Sequence, residues 1–252
     1  TTTTTTATTT INNNNPTTTT NPTITNNPNS RNQPAPIQLL MSENSARYYL
    51  ACLLLALQFM HRQGLLHRDV KPCNMLLTGD GRAKLADLGF TVVLDRNGLA
   101  YGCCGTVGYM APEIWAYGTS KEYRGYGVSS DLWSAGATLF EVLTGDVPAA
   151  NPDDVIAKGW TPPRLPRRLV SASLQDLLDR LLAAKPARRL QNVVQVMQHP
   201  WFRGFDWEGL EKGGKRVKAP YVPSEHRPTK SISYASVPSS SGRAGDAFAS
   251  EG

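Results

Sequence analysis

The chain has 252 residues, is 40% hydrophobic and carries a net charge of +6. That apolar share is enough for a globular core, though it is unevenly spread, so the folding part is shorter than the chain. Four cysteines without a C-x-x-C pair argue against a disulfide framework or zinc site and for an intracellular, cytoplasmic setting. The longest apolar run, 48–57, is too short to span a bilayer, and no charged segment followed by an apolar one opens the chain as a signal peptide would. Much of the positive charge comes from Lys212, Lys215, Arg216, Lys218, Arg227, Lys230 and Arg243. These lie in a Gly/Pro/Ser-rich stretch without interleaved aromatics, which favours a solvated basic tail over a nucleic-acid surface.

Residues 1–36 are dominated by Thr, Asn and Pro; Ile11, Ile24 and Ile37 are the first large apolar residues, and Arg31 is the only charge before Glu43. Such a segment buries too little to offset the entropy of ordering, so it is expected to be disordered. Self-association of the Asn-rich part is the second reading, and an O-glycosylated stalk lacks a signal peptide to support it. From Ser42 the spacing of Ala46, Tyr49, Leu50, Leu53, Leu54, Leu57 and Met60 predicts a buried helix, with Ser42 as N-cap and Gly64 just past its end.

Residues 67–74 read His-Arg-Asp-Val-Lys-Pro-Cys-Asn. At these spacings Asp69 can orient and deprotonate a hydroxyl, Lys71 can neutralise a phosphate and Asn74 can offer an oxygen to Mg²⁺. Next, 75–78 and 83–86 flank the turn-forming Gly79-Asp80-Gly81 and predict a hairpin. Its second strand runs into Asp87-Leu88-Gly89, which brings Asp87 beside Asn74 to build one metal site. Residues 90–109 show no sustained period and read as a loop. A second apolar helix covers 131–144, capped by Ser129 or Ser130 and closed by Gly145. A third starts after Ser173 and a fourth covers about 190–198, while beyond Phe205 the pattern fades into a flexible tail.

Taken singly, Asp69 and Asp87 are ordinary loop acids, Lys71 a surface lysine and Asn74 a turn former. Six motifs in order override those readings: the 67–74 run, Asp87-Leu88-Gly89, Gly105 to Glu113 with its Ala-Pro-Glu, Asp131-x-Trp133-x-x-Gly136, Pro186-x-x-Arg189 and His199-Pro200-Trp201-Phe202. Over roughly 37–205 the chain resembles the C-terminal lobe of a eukaryotic protein kinase. Cys104-Gly105-Thr106, the 205–210 run Phe-Asp-Trp-Glu-Gly-Leu and Pro220-Tyr221-Val222-Pro223 resemble the AGC group, near the cyclic-nucleotide-dependent kinases.

The resemblance implies an α+β protein-kinase-like fold: a mainly helical lobe over 37–205, a small hairpin at the active site and an AGC-like tail over 206–252. It implies serine/threonine kinase activity, with the γ-phosphate of ATP passing to a protein hydroxyl in the presence of Mg²⁺. Asp69 would be the catalytic base, Lys71 the stabiliser of the transferring group, Asn74 and Asp87 the metal ligands and Leu76 part of the adenine floor. Thr106 would seat the acceptor segment, and Glu141 would lie in the peptide groove. Glu113 with Arg189, and Asp131 beneath Arg68, would be structural.

Departures temper this. No G-x-G-x-x-G, no V-A-I-K-like run and no lysine or glutamate precedes Glu43, so an N-terminal β-lobe is not recognisable. The chain is therefore expected to be truncated and weak or inactive alone, with a non-catalytic binding module as the alternative and a protein partner over the exposed lobe face. Leu88 stands where the family has Phe, and Gly102 where AGC kinases carry a phospho-acceptor for Arg68. Cys73 replaces an acidic residue of arginine-directed members.

Overall fold

A computed structural model describes residues 38–119, 124–156, 159–213 and 217–223. The readings of 1–36 as disordered and of 224–252 as flexible lie outside the described residues.

Helix α1 (Glu43–Arg62) begins where the Ser42 hydroxyl accepts from Ser45 N at 3.2 Å. Glu43 in its first turn and His61 and Arg62 in its last complement the helix dipole, and Gly64 leaves it at φ 69°. Leu50, Leu53, Leu54 and Leu57 are fully buried. Glu43 also fastens the helix to distant chain, accepting from the Ser171 amide, the Ser171 hydroxyl at 2.8 Å and Trp201 Nε1 at 2.9 Å.

Two short antiparallel pairs follow. Strand β1 (Leu65–Leu66) pairs with β4 (Val92–Val93), and β2 (Met75–Leu77) pairs with β3 (Ala83–Leu85), Leu76 opposite Lys84. The second pair is the expected hairpin. The first was not expected, since 90–109 reads as unbroken loop; two residues are too few to show a period.

After the short α2 (Pro112–Trp115) comes α3 (Ser129–Thr144), the central helix, with Asp131 to Phe140 buried throughout. It starts earlier than expected, and neither serine caps it: Val128 occupies the cap position in helical conformation. Gly145 closes it at φ 88°. Helix α4 (Pro152–Ile156) precedes α5 (Ala172–Leu181), which starts one turn-half earlier than expected because Ser171 caps it through Leu174 N. Gly136 lets α5 approach, since a Cβ there would fall 2.8 Å from Leu181 Cβ. Helix α6 (Val193–Met197) is shorter than the expected 190–198, because Asn192 takes the cap.

Ordered structure continues past Phe205, where the sequence pattern fades. Helix α7 (Trp207–Glu211) is formed, and Trp207 packs on Phe202 and Phe205 with ring centroids 4.8 and 4.9 Å apart. Further on, residues 219–221 lie against the turn at Gly81. Among the described residues no helix is long and apolar enough to cross a membrane.

Candidate active site

The catalytic-loop run begins where β1 ends, and its backbone is held by one buried carboxylate. Asp131, in the first turn of α3, accepts from His67 N at 3.0 Å, Arg68 N at 2.9 Å and His61 Nε2 at 2.8 Å. Arg68 sits at φ 71°, in the left-handed region. Such a conformation costs about 1–2 kcal/mol, and hydrogen bonds to a charged acceptor, at about 1.5–3 kcal/mol each, outweigh it. The His67 ring is buried; Nδ1 accepts from Asp69 N at 3.2 Å, so Nε2 carries the proton it gives to Ala86 O, also at 3.2 Å. That bond ties the loop to the residue preceding Asp87.

Asp69 is 2% exposed. Its Oδ1 accepts from the Thr106 hydroxyl at 2.6 Å; its Oδ2 accepts from Lys71 Nζ at 2.7 Å and Asn74 Nδ2 at 3.1 Å. Lys71 also donates to Thr106 Oγ1 at 2.6 Å, so three side chains close a triangle across 37 residues of chain. Burial alone would raise the Asp69 pKa, but the Lys71, Thr106 and Asn74 hydrogen bonds outweigh it and hold the carboxyl below its ordinary value. The bond to Asp69 pushes the Lys71 ammonium up. Both groups stay charged at neutral pH.

Asn74 points its amide at Asp69, with a second bond to Asp69 O at 2.8 Å. Its carbonyl oxygen receives only the weak Cys73 thiol at 3.8 Å. Across the hairpin base Ala86 N donates to Asn74 O at 2.8 Å, which sets Asp87 one residue on. Asp87 is exposed, in left-handed conformation at φ 61°, and its Oδ1 accepts from Gly89 N at 3.2 Å. Among the described residues no three His, Cys, Asp or Glu side chains gather as a metal cage. The weakly engaged Asn74 Oδ1 and the exposed Asp87 carboxylate are hard oxygens of the kind a cation such as Mg²⁺ takes, with water and phosphate supplying its other ligands.

Leu76 is 57% exposed in the middle of β2, on the opposite face to Met75 and Leu77. Leu88 is exposed as well. Glu113 and Arg189 form a buried two-pronged pair at 2.6 and 2.9 Å. Arg189 also reaches Ser129 O at 2.9 Å and lies 5.2 Å over the Trp133 ring. Glu141 accepts from the Tyr109 hydroxyl, and burial together with that bond pushes the Tyr109 phenol up.

Sequence reasoning missed His61, Tyr109 and Tyr126. All three act through a partner 24 or more residues away, and no local pattern marks them. His61 stood in view as a polar residue at the end of an apolar helix.

The protein kinase domain model matches residues 29–202. The chain belongs to the protein kinase family. It is 37% identical to ribosomal protein S6 kinase alpha-6 of Homo sapiens over 199 residues, and 32% identical to the cGMP-dependent protein kinase egl-4 of Caenorhabditis briggsae over 203. These alignments cover 76% and 77% of this kinase chain but only 25% and 26% of the relatives, so it spans about a quarter of their length. A cGMP-dependent protein kinase of Drosophila melanogaster, isozyme 2 forms cD5/T2, is 34% identical over 178 residues, 67% of this chain and 18% of that protein. The expected nearness to the AGC group and its cyclic-nucleotide-dependent members agrees with these names.

Proposed function

We propose that this chain supplies the catalytic-loop half of a serine/threonine kinase site, in which ATP is the phosphoryl donor and a protein hydroxyl the acceptor. The observation that carries this reading is the Asp69–Lys71–Thr106 triangle. A carboxylate has about four acceptor positions; Thr106, Lys71 and Asn74 take three, and one on Oδ1 remains for an incoming hydroxyl. Asp69, kept ionised, orients that hydroxyl and receives its proton. Lys71 lies beside it as a fixed positive charge where the transferring group gains negative charge. Asn74 Oδ1 and Asp87 would hold Mg²⁺, which when bound neutralises phosphate charge. Leu76 offers a flat apolar surface to the adenine. Glu141 draws a basic side chain of the substrate into the groove, weakened by the Tyr109 hydroxyl it already binds. Serine/threonine selectivity is supported by Lys71 two residues after Asp69 and by the named relatives. The four free cysteines support a reducing, intracellular compartment.

The test is Mg·ATP-dependent transfer to a Ser/Thr peptide by the purified chain. Asp69→Asn and Asp87→Asn are each expected to cut it about 10²–10⁴-fold. Transfer that survives both substitutions would overturn the assignment. One observation favours a second reading, a non-catalytic binding module: Leu76, Leu88 and Phe90, close to Asp87 in the chain, are large apolar side chains left exposed. Partner capture by a chain that transfers nothing would support that second reading.

A further inference from the structure

Arg68 has its amide on Asp131, and its side chain runs the other way, into residues 90–102. Nε donates to Phe90 O at 2.6 Å; Nη1 donates to Tyr101 O at 3.2 Å and to the Tyr126 hydroxyl at 3.3 Å. All three acceptors are neutral, although a guanidinium fork is best matched by a carboxylate or phosphate.

Tyr126 is where these contacts meet. It is 2% exposed, and its hydroxyl donates to Gly102 O at 2.6 Å while accepting from Arg68. Accepting from a cation polarises the O–H bond and strengthens its donation. Its backbone exchanges two hydrogen bonds with Ala100, at 2.7 and 3.0 Å. The Tyr117 ring packs edge-on against both Tyr126 and Tyr101, at 6.2 and 6.5 Å, and the Tyr101 hydroxyl is held by Asp95 at 2.6 Å. Gly102 itself offers no side chain, at φ 88°. Four residues further on lies Thr106, the group that closes the triangle with Asp69.

We propose that Tyr126 is a positioning residue: its hydroxyl ties Arg68 to residues 100–102, so that Thr106 is seated on Asp69 without any negatively charged modification of the segment. This rests on the reading of Asp69 as the base, but its test does not. Neutral acceptors already take the Arg68 Nε and Nη1 hydrogens, and the Tyr126 hydroxyl lies within hydrogen-bond reach of both the Gly102 and the Tyr101 carbonyls.

Hydrogen exchange on the whole chain, read over 100–106 and over α3, decides the matter. Tyr126→Phe keeps the ring and removes the hydroxyl. Exchange over 100–106 is expected to quicken about tenfold, as loss of a buried hydrogen bond allows, with α3 unchanged. Gly102→Asp adds a carboxylate into open space beside Arg68, at a backbone conformation that Asp tolerates better than most residues. In the wild-type background it should change exchange less than about twofold, and in Tyr126→Phe it should restore protection. Unchanged exchange in Tyr126→Phe overturns the proposal. So does a tenfold slowing by Gly102→Asp alone, which would mean that the segment normally lacks a charged partner; that arm decides even if Tyr126→Phe fails to fold. Absence of transfer by a wild-type chain with a protected segment would instead remove the catalytic reading and leave Tyr126 its role.

Discussion

The two sides of the site are built differently. On the side proposed to meet the acceptor, Asp69, Thr106, Lys71 and the Asn74 amide satisfy one another over a backbone held by Asp131, and the Glu113–Arg189 pair is buried as well. On the side proposed to meet the nucleotide, the β2–β3 hairpin and Asp87 present exposed Leu76 and Leu88 and an exposed carboxylate. Charge on the first side is buried and therefore has to be answered within the protein, which fixes the geometry before any substrate arrives. Charge on the second side faces solvent, so its geometry is completed by what binds. Substitutions should accordingly cost stability on the first side and affinity on the second.

The largest effect is expected at Glu113. Its removal leaves Arg189 buried with one partner fewer, and breaking such a pair from one side costs about 3–5 kcal/mol. Urea unfolding of Glu113→Ala should show that loss, whereas Glu113→Leu combined with Arg189→Met should recover most of it. A loss below about 1 kcal/mol for the single change would contradict the claim that this side is held by buried charge.

Asp131→Ala comes next. It strands the amides of His67 and Arg68 in a dry place, at about 1–3 kcal/mol for each buried unsatisfied donor. It also removes the compensation for the left-handed backbone of Arg68. Unfolding midpoints and protection of residues 67–69 against hydrogen exchange should fall together; a fall in one alone would mean that Asp131 acts on something other than the loop backbone.

How far the sequence showed this contrast depends on how local each cause is. The 67–74 run, the hairpin around Gly79-Asp80-Gly81 and the Ser42 cap are short-range patterns, and the hairpin and the cap stand in the structure as read. The ordering of Glu113, Asp131 and Arg189 was legible only through the family resemblance, because their partners lie 60 or more residues away. Strand pair β1–β4 and helix α7 were missed for want of length, two and five residues giving no usable period. The role of His61 on Asp131 and that of Tyr126 on Arg68 depend on tertiary contacts that no window of sequence contains.

A smaller effect follows from the depressed pKa of Asp69. Burial works against the charge, and the hydrogen bonds from Lys71, Thr106 and Asn74 overcome it, so the folded state holds the proton less tightly than the unfolded chain. The stability this contributes is present above the ordinary carboxylate pKa of about 3.9 and is lost as pH falls through the lower folded value. Asp69→Asn should therefore be less stable than the wild type at pH 7, with the gap closing in acid. A gap that widened as pH dropped would reverse the sign and place the hydrogen bonds below burial in strength.

The smallest effect on stability is expected on the side proposed to meet the nucleotide, and there the informative quantity is affinity. Leu76 is largely exposed and lies on the hairpin face away from Met75 and Leu77. Leu76→Ser should therefore leave the unfolding free energy within about 0.5 kcal/mol of wild type. If that face receives adenine, removing the side chain forfeits about 1.5–3 kcal/mol of apolar contact, roughly ten- to hundredfold in nucleotide affinity by titration calorimetry. Leu77→Ser, one residue along on the other face, is the control. Equal loss of affinity from both would mean that the strand, and not one of its faces, is what the nucleotide meets; a loss of stability at Leu76 with affinity intact would move this residue to the packed side of the comparison.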